Sequence, residues 1–338
     1  MSDLRDDVRG LFAEFTGRSP DGIWSAPGQV ALLGGDVGSR AALSVAIDRR
    51  TLVAAGSRED AVLRLASTEA DTVVEIDLAD VAAARGRAGW AGVPLGVVWA
   101  LERSGADLAA VPGVDLVVES NVPIGVGLAA STALAGAVAL ALADLWRWGR
   151  TPDELADLVR RAEADYVGAA SGWGGPETTL RGRPGSAVLT TGSGVDVIDL
   201  GFHAAGLALL VIATDGAPAG APLAADTAAI DEEAWVRDAA EQVRASRTSA
   251  LGALLDVAHV AARHRDGSSP ELDLAVETAR ENGALGARAT RGGAVIALTP
   301  VDAVSRIQVA IDGAFAEHGL GTPEVIPVHP SAGATRDL

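Results

Sequence analysis

The stretch VDLVVESNVPIGVGLAASTALAGAVALALADLW, residues 114–146, narrows the choice of fold more than any other part of the chain. Its β-branched start reads as a strand, NVPIGVGLAAS as a Gly-rich turn, and the Ala-rich run as a long buried helix. Strand, glycine turn and helix in immediate succession form a recurrent phosphate cradle. Gly125 and Gly127 let the backbone approach a ligand, and the helix offers unpaired N–H groups and a positive dipole end to an anion. Taken alone, the same pattern also suits glycines that only make packing room. Residues 128–146 reach the length of a membrane span, but they are mostly Ala, Ser, Thr and Gly, and Asp144 interrupts the end. They read as a core helix.

Around this unit, residues 3–16 have the pattern of an amphipathic helix. SAPGQVALLGGDVGSR, residues 25–40, begins like a loop built to grip a nucleotide or sugar, with QVALLG as a strand. Further strands are expected at RTLVAAGSR, VVEIDL, LALLVIAT, AVIALTP and EVIPVHPS, and a hairpin at GSAVLTTGSGVDVIDL. Helices are expected around PLGVVWALERSG, after Thr151 and Pro152, at 231–246, 248–264, 269–282 and 301–317. Residues 215–230, rich in Ala, Pro, Gly and Asp, read as a mobile loop. Strands and helices mix without a strict βαβ alternation, which predicts an α+β fold. A soft boundary near 190–205 divides the chain into domains 1–200 and 201–338.

Composition excludes several functions. A net charge of −18 argues against nucleic acid and against an anionic membrane surface. With no cysteine there is neither a disulfide nor a thiolate site, and the five histidines lack metal-ligand spacing. The charged N-terminus lacks an apolar signal core, so a cytoplasmic protein with a small-molecule ligand is expected. A protein partner is unknown; one candidate surface is the 215–265 segment with Trp235, though a Trp facing the core is the simpler reading.

Three stretches in order, SAPGQVALLGG, PIGVGLAASTAL and GALGARATRGGAVIAL, resemble the signature motifs of the GHMP small-molecule kinases, and most closely those of galactokinases. RRAEADYVGAASG and the terminal PSAGATR resemble the same family, so the likeness spans nearly the whole chain apart from 215–265. It implies a two-domain GHMP-kinase-like α+β fold with the active-site cleft between the domains. It also places residues 25–40, 121–135, 163–177 and 286–294 around one pocket.

At the positions that carry the family's chemistry, this chain departs from it. Where the family has Arg, Glu, His, Asp and Tyr in its first motif, this chain has Gln29, Gly35, Asp36, Gly38 and Ser39. The family's catalytic Asp corresponds to Gly175, with Trp173 two residues before it, and the G-L-S-S-S loop becomes Gly127 to Ser131 with two hydroxyls lost. Glu163 matches the usual metal-binding Glu. Glu177 is either a displaced substitute for the base or a neighbouring solvated carboxylate.

These departures predict that kinase activity is lost. The cleft would then serve ATP-independent chemistry (isomerisation, cyclisation or elimination) on a less polar substrate, without a cofactor. Asp36, Glu163, Tyr166 and Glu177 are then the acid–base candidates. Gln29, Leu33, Gly35, Gly38, Trp173 and Gly175 are the substrate-binding candidates. Gly125, Gly127 and Ser131 would hold a phosphate, and Glu163 a Mg²⁺, only if ATP still binds. Two alternatives stay open: an inactive pseudokinase that senses a metabolite or nucleotide, and a weak ATP- and Mg²⁺-dependent kinase for galactose or another sugar.

Overall fold

The computed structural model describes residues 4–35, 39–86, 89–169, 172–214, 232–264, 268–290 and 292–338. Helix α1 (Leu4–Thr16) leads into two long strands, β1 (Gly22–Gly34) and β2 (Ala41–Ser57), then β3 (Val62–Ser67) and β4 (Ala70–Asp77). Helix α2 (Gly92–Arg103), strand β5 (Val114–Ser120) and helices α3 (Ala130–Leu145) and α4 (Pro152–Arg161) follow. Helix α4 continues into a π-helical turn, Ala162–Val167, before α5 (Gly175–Arg181) and the hairpin β6 (Ser186–Thr191) and β7 (Gly194–Asp199). The remainder is α6 (Phe202–Ala205), β8 (Leu207–Ala213), α7 (Glu232–Arg244), α8 (Leu251–His264), α9 (Pro270–Glu281), β9 (Gly286–Ala289), β10 (Ala294–Pro300), α10 (Val304–Glu317), β11 (Glu324–Val328) and β12 (Thr335–Arg336).

Among the described residues the strands form two sheets. The larger has the order β12-β1-β2-β5-β3-β4, with the β6–β7 hairpin on the start of β2. The smaller is antiparallel, β11-β8-β10-β9. Strand β2 belongs to both halves of the molecule. Its later residues, Val53 and Ala55, pack with Trp24 under α2 and α3. Its earlier residues, Leu43, Val45 and Ile47, share a second core with Leu33, Val236, Leu209 and Ile296. Helices α9 and α10 cover the other face of the small sheet through Leu272, Val276, Ile307 and Phe315.

Local chemistry explains several boundaries. Thr151 and Glu154 form a capping box with Pro152 at the first helical position, which fixes the start of α4. Ser269 caps α9 with a single bond, accepting from the Leu272 amide, and Pro270 again takes the first helical position. Asp144, the charge that breaks the apolar run, accepts a 2.8 Å hydrogen bond from the Trp24 indole and so anchors α3 to β1. No helix of the described residues is long and apolar enough to cross a membrane, and α3 is core.

The structure departs from expectation at several elements. SAPG is not a loop: Ser25 to Gly28 lie inside β1, which runs from Gly22 with bulges between Pro27 and Gln29 and between Ala31 and Leu33. Strands β3, β9 and β12 and the short helices α5 and α6 have no counterpart in the expected elements. The chain after β11 also returns to the first sheet, where Thr335 and Arg336 pair with Ser25 and Trp24. The expected loop at 215–230 lies outside the described residues.

Candidate active site

The signature stretches meet where β1 crosses the turn before α3. A Cβ on Gly28 would stand 2.8 Å from the Leu128 carbonyl oxygen, and the Gln29 amide donates to that oxygen at 3.0 Å. Residues 121–129 thus form a loop clamped to β1. Gly125 and Gly127 take φ of +82° and +77°, which an L side chain strains to adopt. Ala129 ends the loop in the left-handed region, and no side chain caps α3. The first-turn N–H groups of a 16-residue helix are thereby left for an external acceptor, with the helix dipole behind them. Ser131 stands exposed on that turn.

The third stretch backs this loop. Strand β9 ends at Ala289, and the turn before β10 lays Gly292 against Gly127, backbone to backbone. Arg288 is buried, and its Nη2 donates to the Ala31 carbonyl at 2.5 Å, tying β9 to β1.

Behind α3, buried Thr132 donates from Oγ1 to Oε1 of buried Glu163 at 2.7 Å. Glu163 is held on the π-helical turn, a distortion common at functional sites. A carboxylate and a hydroxyl are hard oxygen donors, the kind Mg²⁺ takes together with water and substrate phosphates. These residues fit the ion the family uses.

The Gly174–Gly175 backbone forms the start of α5. Gly175 has no side chain, and the place its Cβ would take is 2.9 Å from the Gln29 Nε2. A Cβ on Gly35 would meet Ala31 and, at 3.5 Å, the Trp173 carbonyl oxygen. Trp173 is 40% exposed. Gln29, Gly35, Trp173 and Gly175 are therefore brought together.

Other candidates lie elsewhere. Leu33 is buried in the core between the two halves and does not line the cleft. The Tyr166 hydroxyl donates to the Val81 carbonyl at 2.7 Å, and burial pushes the phenol above its ordinary range. That ring packs beside Trp99, a core role in place of acid–base work. Glu177 is not solvated: it is buried and paired with Arg160. Trp235 is partly buried and packs against the core. Asp36 and Gly38 lie outside the described residues. Sequence reasoning missed Thr132, Thr190 and Arg288, whose roles depend on neighbours far along the chain.

The model of the GHMP kinases N terminal domain matches residues 93–177, from α2 through the Gly-rich turn before α3 to α5. Galactokinase of Streptomyces coelicolor is 34% identical over 96% of this chain and 96% of its own length. The chain belongs to the galactokinase family. Galactokinase of Mycobacterium tuberculosis is 32% identical over 92% of this chain and 98% of its own. The structure of Lactococcus lactis galactokinase complexed with galactose superposes with a TM-score of 0.88, covering 99% of this chain and all of that one, at 21% identity. Methanococcus jannaschii mevalonate kinase gives 0.68 at 16% identity and shares the fold.

These relatives correct the functional expectation. Loss of kinase activity, a cleft reused without ATP, and the absence of a cofactor were inferred from substituted side chains. Galactokinases matching this chain nearly end to end overturn all three inferences. The substitutions removed side chains, but they left the Gly127–Gly292 approach and the Thr132–Glu163 hydrogen bond in place.

Proposed function

We propose that this protein transfers the γ-phosphoryl group of ATP to a hydroxyl of galactose or a closely related sugar. One observation carries the reading. The uncapped α3 terminus, the Gly127 turn backed by Gly292 and the Thr132–Glu163 pair stand together beside a side-chain-free acceptor floor. Phosphoryl transfer passes through a loose transition state, so positioning and charge stabilisation supply most of the acceleration. A site can therefore lose a carboxylate and remain a kinase.

In this reading the amides of residues 125–132 and the Ser131 hydroxyl hold the ATP phosphates. Glu163, oriented by Thr132, holds Mg²⁺, which neutralises charge on the phosphate oxygens when bound. Gln29, Gly35, Gly175 and Trp173 face the sugar. Without a carboxylate at Gly175, the chemical step runs about 10²–10⁴-fold slower than in a site that has one. The test is sugar-dependent ADP release with Mg·ATP, across galactose and its epimers. ADP formation that requires both sugar and Mg²⁺ supports the reading; no turnover with any sugar refutes it.

A further inference from the structure

We propose that Arg288 is a positioning residue for phosphoryl transfer, fixing the turn behind the Gly-rich loop against the strand beneath the sugar; this rests on the kinase reading above. Three segments far apart in sequence meet here in pairs. Strand β1 clamps the loop at residues 121–129 through the bond from the Gln29 amide to the Leu128 carbonyl. The loop meets the turn before β10 where Gly127 lies against Gly292. Arg288 closes the triangle, because its Nη2 donates to the Ala31 carbonyl, two residues beyond Gln29 on β1. Two of these joints are made by backbone. The third is a single buried side chain, so a substitution can remove it and leave the other two.

The point on β1 where Arg288 lands is specific. The register of β1 on β2 shifts between Ala31 and Leu33, so the bond falls where the ladder is interrupted. A Cβ on Gly35 would lie 3.0 Å from the Ala31 Cβ, on the side assigned to the sugar. Arg288 itself is seated in the other sheet, opposite Ile296 of β10. An arginine is seldom buried unless its position is fixed by partners, and this one reaches from one sheet to the other. Three segments joined at two points can pivot; the third joint removes that freedom. What the triangle fixes is the placement of the ATP phosphates over the sugar hydroxyl. Misplacement by about 1 Å can cost about 10²-fold in rate, even from a residue that touches neither substrate.

The experiment compares wild type with Arg288→Met, Arg288→Lys, Gly292→Ala and the double variant Arg288→Met with Gly292→Ala. It measures kcat and KM for galactose and for ATP, with thermal unfolding to confirm that each variant is folded. Arg288→Met is expected to lower kcat about 10- to 100-fold while KM for galactose stays near that of wild type. Arg288→Lys keeps the charge and a donor and is expected to recover most of that loss; it decides the matter if Arg288→Met does not fold. In the double variant the losses in kcat/KM for ATP should multiply to less than the product of the single losses, because both substitutions open the same triangle. Wild-type kcat in folded Arg288→Met, or losses that multiply fully, overturns the positioning role and leaves the kinase reading standing. A wild type that phosphorylates no sugar brings down both.

Discussion

Thr132, on the first turn of α3, donates a 2.7 Å hydrogen bond to Glu163 on the turn after α4, with both side chains buried. In the proposed kinase reading, the bond couples the helix that would face the phosphates to the carboxylate that would hold the ion. Thr132→Val keeps the volume and removes the donor, which should cost about 1–3 kcal/mol, the penalty for leaving a buried acceptor short of a partner. The effect on turnover should be a raised Mg²⁺ requirement with little change in KM for galactose. Glu163→Gln should lower kcat by about 10²–10³-fold, as expected when a charge-stabilising group is lost. Unfolding curves and Mg²⁺ titrations of initial rate check both.

Gly292 offers a sharper test of the loop. A Cβ there would overlap the backbone of Gly127, and backbone cannot swing aside as a side chain can. Gly292→Ala should raise KM for ATP and destabilise by about 1–3 kcal/mol, the usual range for overpacking. Gly125 has φ +82° but open space around it. Gly125→Ala should cost only the left-handed backbone penalty, about 1–2 kcal/mol. If both substitutions raise KM for ATP equally, the loop is read by its own conformation. If Gly292→Ala acts more strongly, the backing turn from the second half sets the cradle.

The elements that sequence revealed well are those with local causes. Thr151, Pro152 and Glu154 announce α4, Ser269 and Pro270 announce α9, and the β-branched run at 114–120 announces β5. Strand β12, two residues long, exists only because the tail returns to β1, and nothing local in Thr335 or Arg336 requires that. The site shows the same division. Its loops were legible because glycines mark backbone approach, and they converge as the resemblance implied. What the substitutions meant was not legible. Gly175 read alone is a lost carboxylate, whereas in space it lies under the Gln29 carboxamide.

The Arg160–Glu177 pair separates a structural from a chemical role for Glu177. Glu177 is buried on α5 and Arg160 is partly open to water. Arg160→Met should leave the carboxylate without its partner and cost about 1–3 kcal/mol, below the range for a fully buried pair because the arginine is hydrated. The double variant Arg160→Met with Glu177→Met should recover much of that loss. A double-mutant cycle on unfolding free energy measures the coupling. Sugar turnover by the stable double variant then shows whether the carboxylate takes part in the chemistry.

His259 predicts an acid-sensitive seam next to the backing turn. Its ring is buried on α8, and Nδ1 accepts from the Ala289 amide at 3.3 Å, at the end of β9. Burial lowers its pKa below the ordinary histidine range, with Asp273, 3.4 Å from Nε2, offsetting only part of that. A base whose pKa falls on folding binds fewer protons folded than unfolded, so stability rises with pH between the two values. The histidine's contribution should be complete above about pH 6.5 and be lost as pH falls below it, by up to about 1.4 kcal/mol per unit. Asp115 acts in a separate window. Burial raises its pKa, but hydrogen bonds from Arg58, Arg64 and Arg18 outweigh burial and lower it, so its contribution persists until pH falls below about 4. Unfolding measured between pH 5 and 7 should therefore isolate His259, and His259→Gln should flatten the slope in that range. A slope unchanged in the variant would assign the acid sensitivity to another group.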